Sequence, residues 1–373
     1  MIEDQRIETF CVKMNEMNLE YLVAYFEGSH SFLEQNLVFL LSDFKSMGES
    51  LIMLHVSGAS TLIATPSWDA KRAKENSKSK DVIATDDLIG TFNGVLESRK
   101  IDLKKVGFIG FNSMKQSAFS KFSNIFNDAF NFYDEDFLKL TSCKSEQEIE
   151  RAKKATWIAE RGYEKMLEAA KPGIYEYQLA GELDSFMKSL GADDNFLLLS
   201  ASQHNQAVRP PGRRRLEKGD IILGEISPSY EGQFIQICRS VVLGDVNKDD
   251  LFEKYQLLIA AFDRGVSAAK AGEKMSNVIR AINEPLETAG YGDYCRPPYM
   301  RVRGHGLGLS TILPGDVSVD NDITLKEGML FIIHPNQYLP ETGYLLCGET
   351  VIITSAGAIP LTNRRPSLDI IDI

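Results

Sequence analysis

Three polar residues in the C-terminal half have the types and settings that acid–base chemistry requires. His305 lies in the string GHGLG (304–308), where glycines let a ligand approach closely and leave the imidazole uncrowded. Glu225 and His334 each end an apolar run that is typical of a buried strand. An imidazole and a carboxyl facing one cavity could move protons on a bound molecule. The sequence therefore predicts catalysis by His305, His334 and Glu225; the alternatives are a structural histidine and two solvent-facing strand ends.

An internal repeat would place Glu225 and His334 at equivalent positions. The strings AKPG (170–173) and AKAG (269–272) are each followed, 18 residues after their last glycine, by another glycine. Further on, EKGDIILGE (217–225) pairs with KEGMLFIIH (326–334). Each copy of the repeat therefore predicts the same order of elements: a helix that ends at a glycine, a second helix, a long connection, a glycine turn and a buried strand. A repeat that occurs only twice indicates a pseudo-twofold domain, since a solenoid needs three or more units.

The N-terminal part has a different pattern, which predicts a separate α/β domain. Strand-like runs at 20–26, 37–42, 50–56, 60–65 and 105–111 alternate with polar stretches at helical spacing. Ser145 and Glu148 then form a capping box that begins a long amphipathic helix. We therefore predict one domain at 1–140 and a second at 141–373.

Composition excludes several classes of protein. The 373 residues carry a net charge of −11, whereas nucleic-acid and anionic-membrane binding need basic surfaces. Apolar runs stay below the ~18 residues of a membrane span, and the acidic N-terminus is unlike a signal peptide. The five cysteines form no CxxC pair, which indicates reduced thiols. We expect a cytoplasmic protein with no nucleic-acid or membrane partner.

Arginines in the C-terminal half indicate an anionic ligand. Arg209 lies on a loop rich in proline and glycine, and Arg239 lies on the strand after Glu225. Guanidinium groups bind carboxylates in bidentate fashion, so both arginines are candidates for binding a small carboxylated substrate. The alternative is that they form ordinary ion pairs. Cys238, next to Arg239, is a candidate nucleophile, although a strand cysteine is more often part of the core.

Several motifs together resemble the pita-bread superfamily of methionine aminopeptidase, aminopeptidase P, prolidase and creatinase. They are KPGIYEYQLAGEL, LEKGDIILGEISPSYEGQFIQICRSVVLG, GHGLGL, LKEGMLFIIHPNQYLPETGYLLCGETVIIT and AGAIPLT. The resemblance implies an α+β fold, with an N-terminal creatinase-type α/β domain before a pseudo-twofold duplicated catalytic domain. It also implies a homodimer.

The metal ligands of those peptidases are mostly missing here. The superfamily's two aspartates, one histidine and two glutamates fall, in that order, on Glu225, Gln236, His305, His334 and Gly348. Glu349 is one residue too late, and strand alternation would point it to the other face. A further histidine of the peptidases falls on Ile312. One certain carboxylate is too little to neutralise two divalent ions.

Creatinase-like members of the superfamily also lack the metal set, and they use a histidine as acid and base. Their resemblance implies a metal-independent hydrolase, without a cofactor, that acts on an amide or amidine-like C–N bond. His305 would be the acid/base, assisted by His334 and Glu225, while Arg209, Arg239, Gln236 and Cys238 would contact substrate. The alternatives are an Xaa-Pro peptidase-like metallohydrolase or lyase with a single metal ion on His305, His334 and Glu349, or a catalytically dead binding homologue.

Overall fold

The computed structural model describes residues 4–29, 32–33, 35–111, 114–126, 131–244, 248–311 and 313–373. The chain divides into two compact units, Met1–Thr141 and Ser142–Ile373. None of the helices in the described ranges is long and apolar enough to cross a membrane.

The first unit is a six-stranded mixed sheet with helices. Its elements are α1 (Gln5–Glu16), β1 (Tyr21–Phe26), α2 (Leu37–Ser42), β2 (Ser50–His55), β3 (Ser60–Ala64), α3 (Ala70–Asn76), β4 (Asp81–Ala84), α4 (Leu88–Arg99), β5 (Val106–Ile109), α5 (Gln116–Phe126), β6 (Asn131–Phe132) and α6 (Asp134–Leu138). The strand order is β4-β3-β2-β1-β5-β6. A buried aromatic group that includes Phe92, Phe108 and Phe122 fills one layer of its core. Such side chains bury large apolar areas, which stabilises a small unit.

One strand prediction in this unit is wrong. The run at 37–42 forms the helix α2 and not a strand. Asn36 caps the helix by accepting a hydrogen bond from the amide of Phe39, and Asp43 ends it in the left-handed conformation. All six residues are buried, so the run lacks the polar positions that would have revealed a helical period.

The second unit consists of helices packed against a large sheet. Its elements are α7 (Glu146–Ala169), α8 (Glu176–Ser189), β7 (Asp194–Ser202), β8 (Ile221–Tyr230), β9 (Gln233–Phe234), β10 (Ile237–Leu243), α9 (Lys248–Ala268), α10 (Met275–Leu286), β11 (Gly304–Gly306), β12 (Leu330–Ile333), β13 (Gln337–Leu339), β14 (Gly343–Leu345), β15 (Gly348–Ile353), β16 (Ala358–Pro360) and β17 (Asp369–Ile371). The sheet has the central order β11-β12-β15-β10-β8-β7, while β13 and β14 form a separate hairpin.

The order of elements confirms the internal repeat. The sequence of α7, α8, β7, β8 and β10 is matched by α9, α10, β11, β12 and β15. Gly219 and Gly328, at equivalent places before β8 and β12, both have left-handed φ angles, of 89° and 80°. Only glycine adopts that conformation without a steric penalty, which explains both glycine turns. His334 follows its strand as expected, but Glu225 lies in the middle of β8 and not at its end.

Candidate active site

The register of the central sheet places Glu225, Cys238 and His305 on one face. Glu225 on β8 lies opposite Cys238 on β10, and Cys238 lies opposite Gly348 on β15. His305 lies opposite Ile332, and Ile332 lies opposite Thr350, two residues after Gly348. Directly opposed residues point to the same side of a sheet, and alternate residues on one strand do so too. We call this side the histidine face.

His334 joins the histidine face by packing over Gly348. A Cβ atom at position 348 would lie 2.5 Å from the Cβ atom of His334 and 2.8 Å from its Cα atom. Such contacts are too short for any side chain larger than that of glycine. These are atoms that nearly any residue at 334 would carry, so the close approach of the two strands itself requires glycine at position 348.

The two histidines of this face are in contact and neutral. Their ring centroids are 5.8 Å apart. The Nδ1 of His305 donates to the carbonyl oxygen of Gly306 at 3.0 Å, which leaves the lone pair on Nε2. Burial lowers the pKa of His305. Burial, and then the nearby His305, lower the pKa of His334 to about 3. Both imidazoles are therefore neutral near pH 7.

Glu225 is a carboxyl group held by amides and not by cations. Burial raises its pKa to about 7, and a hydrogen bond from Gln236 opposes this rise only in part. The Nδ2 of Asn336 donates to Oε1 of Glu225 at 3.2 Å. Within the described residues, no lysine, arginine or histidine forms an ion pair with Glu225. The group is therefore balanced between its acid and its base form near neutrality.

This raised pKa predicts a pH dependence of stability. The folded protein holds the Glu225 proton up to about pH 7, whereas the ordinary value is 4.5. Between these two values the folded state binds more protons, so the free energy of unfolding falls as the pH rises. The full loss is about 3 kcal/mol, at ~1.4 kcal/mol per pKa unit. The variant Glu225→Gln should not show this loss. Its free energy of unfolding, relative to that of the natural chain, should therefore increase between pH 4.5 and pH 8. Urea unfolding of both proteins at a series of pH values measures this difference. Parallel plots of the free energy of unfolding against pH would contradict the prediction.

Asn336 and Arg303 support the site but were not predicted to belong to it. Asn336 also accepts the amide of Cys347 at 2.9 Å, so it ties Glu225 to the strand that carries Gly348. Arg303 is fully buried, and it donates to the Asn336 carbonyl oxygen and to the Gln337 and Asn283 side chains. In the sequence Asn336 is marked only by its place two residues after His334, whereas Arg303 is one of the arginines before His305 that indicated an anionic ligand.

Arg239 lies on the opposite face of the sheet. Glu349 lies opposite Ile237, two residues before Arg239 on the same face, and Arg239 and Glu349 form an ion pair of 2.7 Å between Nη2 and Oε1. Both are at most 1% exposed, and the guanidinium also donates to the carbonyl oxygens of Cys238 and Gly348. The structure therefore does not bring Arg239 to the histidine face. Nor does it bring Glu349 there, so the suggested metal set of His305, His334 and Glu349 is not assembled.

The remaining predicted site residues have different surroundings. Cys238 lies on the histidine face, but burial and the nearby Glu225 raise its pKa well above the ordinary value, so it is a neutral thiol. Arg209 has an exposed side chain on the loop between β7 and β8, and its substrate role stays a prediction. Ile312 lies outside the described residues.

The donor set of this chain does not fit a centre of two metal ions. At two of the superfamily's ligand positions stand Gln236, a neutral amide, and Gly348, which has no side chain. Across the described ranges, no three His, Cys, Asp or Glu side chains are grouped so that they could hold a metal ion. Divalent ions require several anionic or imidazole ligands, and these two positions supply none.

The fold and the site together define a member of the pita-bread superfamily. A structure of X-Pro aminopeptidase from Thermotoga maritima matches with a TM-score of 0.83 at 22% identity, over 96% of this chain and 99% of that one. The profile of metallopeptidase family M24 matches residues 150–355, more than half of the chain. The chain therefore belongs to this family, and the predicted α+β duplicated fold is confirmed.

Relatives in sequence are peptidases by name. The Xaa-Pro dipeptidase of Pyrococcus furiosus is 29% identical over 336 residues, which cover 89% of this chain and 92% of that protein. The uncharacterized peptidase YqhT of Bacillus subtilis is 29% identical over 321 residues, with 85% and 89% covered.

These findings correct two predictions. A creatinase-like, metal-independent hydrolase is contradicted by a match to a metallopeptidase family and by relatives named as Xaa-Pro dipeptidases. The expectation of no cofactor is contradicted on the same ground. The five altered ligand positions resemble those of creatinase-like enzymes, whereas the chain as a whole is similar to the peptidases over nearly its full length. The predicted homodimer and the cytoplasmic location stay predictions.

Proposed function

We propose that the chain is a peptidase for small peptides of the Xaa-Pro type, acting at the histidine face. The observation that carries this proposal is the convergence of Glu225, His305 and His334 on one face of the sheet. Support comes from membership of family M24 and from the nearly full-length similarity to an Xaa-Pro dipeptidase. A dipeptide is also a small carboxylated molecule, the class of substrate for which Arg209 remains a candidate.

Each residue of the face has a role that its protonation state permits. Nε2 of His305 carries a lone pair, so it can take a proton from an attacking water molecule and return it to the leaving nitrogen. Glu225, with a pKa near 7, can supply or hold a proton at the same pH. His334 packs against His305 and orients both its ring and the bound peptide.

The test is proline release from Ala-Pro by the full-length chain. It is measured after dialysis against EDTA and again with Mn²⁺ or Zn²⁺ added, because the family is one of metallopeptidases. We expect turnover of Ala-Pro to exceed that of Ala-Ala. No release of proline under any of these conditions would overturn the proposal.

A second candidate is a homologue that binds such peptides without cleaving them. The observation that favours it is that two carboxylate positions of the superfamily's metal set are occupied by Gln236 and Gly348. Saturable binding of Ala-Pro in calorimetry, with no proline released under any metal condition, would establish this candidate and exclude the first.

A further inference from the structure

A cavity lies on the face of the central sheet opposite the histidine face, between α7, β10 and the segment at 363–364. β10 contributes Ile237 and Arg239 to it, which alternate with Cys238 of the histidine face. The volume of the cavity is about 450 Å³, a size that suits a small organic molecule. Nine described residues line it, and they include three arginines, two glutamates and two aromatic residues. We call it the arginine cavity.

Arg239 lines the arginine cavity and carries a hydrogen-bond donor that has no acceptor. Its Nη1 donates to the carbonyl oxygens of Cys238 and Gly348, and its Nη2 donates to Glu349. Its Nε has no partner within the part of the chain that the structure describes, and the side chain is 1% exposed. Arginine is not deprotonated in proteins, so this donor is always present. A buried donor of this kind commonly marks the place of an acceptor atom from a bound molecule.

The arginine cavity borders the positive partners of two ion pairs. Arg239 pairs with Glu349 at 2.7 Å, and Arg364 pairs with Asp369 at 2.6 Å. Both arginines are among the described residues that line the cavity, whereas neither acid is. A molecule in the cavity therefore meets two guanidinium groups without their partner carboxylates.

The two glutamates of the lining are engaged with groups of the chain itself. Oε1 of Glu160 accepts the backbone amides of Asn363 and Arg364, at 2.7 and 2.8 Å. Glu164 forms an ion pair with Arg161. Since both carboxylates already have partners, the two guanidinium groups described above are the ones that can bind an anion. Guanidinium binds a carboxylate through charge-assisted hydrogen bonds.

Aromatic rings in the lining make the arginine cavity unsuited to a bare inorganic ion. The guanidinium carbons of Arg239 and Arg364 each lie 5.3 Å from the ring centroid of Tyr163. Trp157 is 39% exposed, and the Nζ of Lys154 adds a positive charge 3.8 Å from its ring centroid. An ion such as phosphate would leave both rings without a contact, whereas a planar apolar group would pack against them. The ligand that suits the cavity therefore has both a carboxylate and a planar ring.

We propose that the arginine cavity binds a small aromatic carboxylate. The carboxylate accepts hydrogen bonds from Nε of Arg239 and from Arg364, and the ring packs against Trp157 and Tyr163. The sequence predicts that Arg239 contacts a small carboxylated molecule, and this proposal places that molecule in the arginine cavity. The site is independent of the proposed peptide cleavage, because it lies on the other face of the sheet.

The fluorescence of Trp157 measures binding to this cavity directly. In the full-length variant Trp68→Phe, which keeps a single tryptophan, benzoate is titrated without any peptide. We expect a saturable change in the emission of Trp157. Acetate lacks the ring and benzyl alcohol lacks the charge, so each should bind about tenfold more weakly than benzoate, or weaker still.

Substitution of Arg364 tests the role of the guanidinium group. Arg364→Gln should weaken the binding of benzoate by about tenfold, which corresponds to the loss of one charge-assisted hydrogen bond. Arg364→Lys keeps the charge and should lose less affinity. Arg365→Gln is the matched control and should leave the affinity unchanged. Arg365 is the next residue, its side chain is 74% exposed, and it pairs with Asp263 and does not line the cavity.

Several outcomes would overturn the proposal. Equal affinities for benzoate and benzyl alcohol would exclude recognition of the charge. Equal losses in Arg364→Gln and Arg365→Gln would place the bound anion elsewhere on the protein. Acetate that binds as tightly as benzoate would exclude an aromatic ligand. If neither fluorescence nor calorimetry shows saturable binding of benzoate, the arginine cavity is not a site for this class of molecule.

Discussion

His305→Gln is expected to lower kcat for Ala-Pro by about 10²–10⁴-fold, the usual contribution of a positioned general acid–base group. Nδ1 of His305 is fixed by the carbonyl oxygen of Gly306, which directs Nε2 and its lone pair away from that carbonyl. Glutamine is similar in length, but its amide has no basic nitrogen to take up a proton. Steady-state kinetics at pH 7 measure the effect, and KM should change much less than kcat.

The matched control makes the same substitution at a histidine outside the site. His55 lies at the end of β2 in the first unit, where its Nδ1 contacts the hydroxyl group of Ser57. His55 is half-buried and lies outside the site, so His55→Gln should leave kcat within about twofold of the natural value. Undiminished turnover in His305→Gln would remove His305 from the chemistry. An equal loss in both variants would indicate a general defect and not a catalytic one.

Local signals in the sequence were sufficient to predict the helices, turns and strands that position the site. The capping box of Ser145 and Glu148 forms as predicted and begins α7. The spacing of glycines predicted the repeat, because left-handed turns leave few other choices at Gly219 and Gly328. Strand alternation alone placed Glu349 on the face away from His305, and the register confirms this.

Long-range contacts were beyond the sequence. Asn336 contacts Glu225 across 111 positions of the chain, and no pattern in the sequence marks such a pair. The ion pair of Arg239 and Glu349 joins residues that are 110 positions apart. An arginine at position 239 indicated an anionic partner, but the sequence did not show that this partner is Glu349. The close approach of residue 334 to Gly348 likewise could not be predicted from the sequence, because it depends on how the strands are aligned.

Arg239→Met should lower the free energy of unfolding of the second unit by about 3–5 kcal/mol, the usual cost of breaking a buried ion pair from one side. Methionine fills most of the volume of arginine, so the loss comes from Glu349, whose carboxylate would stay buried without its partner. Burial already raises the pKa of Glu349, although Arg239 opposes this rise. The cost should therefore shrink toward acidic pH, where the unpaired carboxyl group becomes protonated.

The measurement needs a probe that reports the second unit alone. The chain has two tryptophans, and Trp68 is 70% exposed in the first unit, so Trp68→Phe leaves the fluorescence of Trp157 on α7 as the probe. In that background, urea unfolding of Arg239→Met is compared with that of the double variant Arg239→Met/Glu349→Leu. Because the double variant buries no unpaired charge, it should recover most of the lost stability. If the double variant were as unstable as the single one, the loss would come from packing and not from charge, and the pair would not be what holds these two strands together.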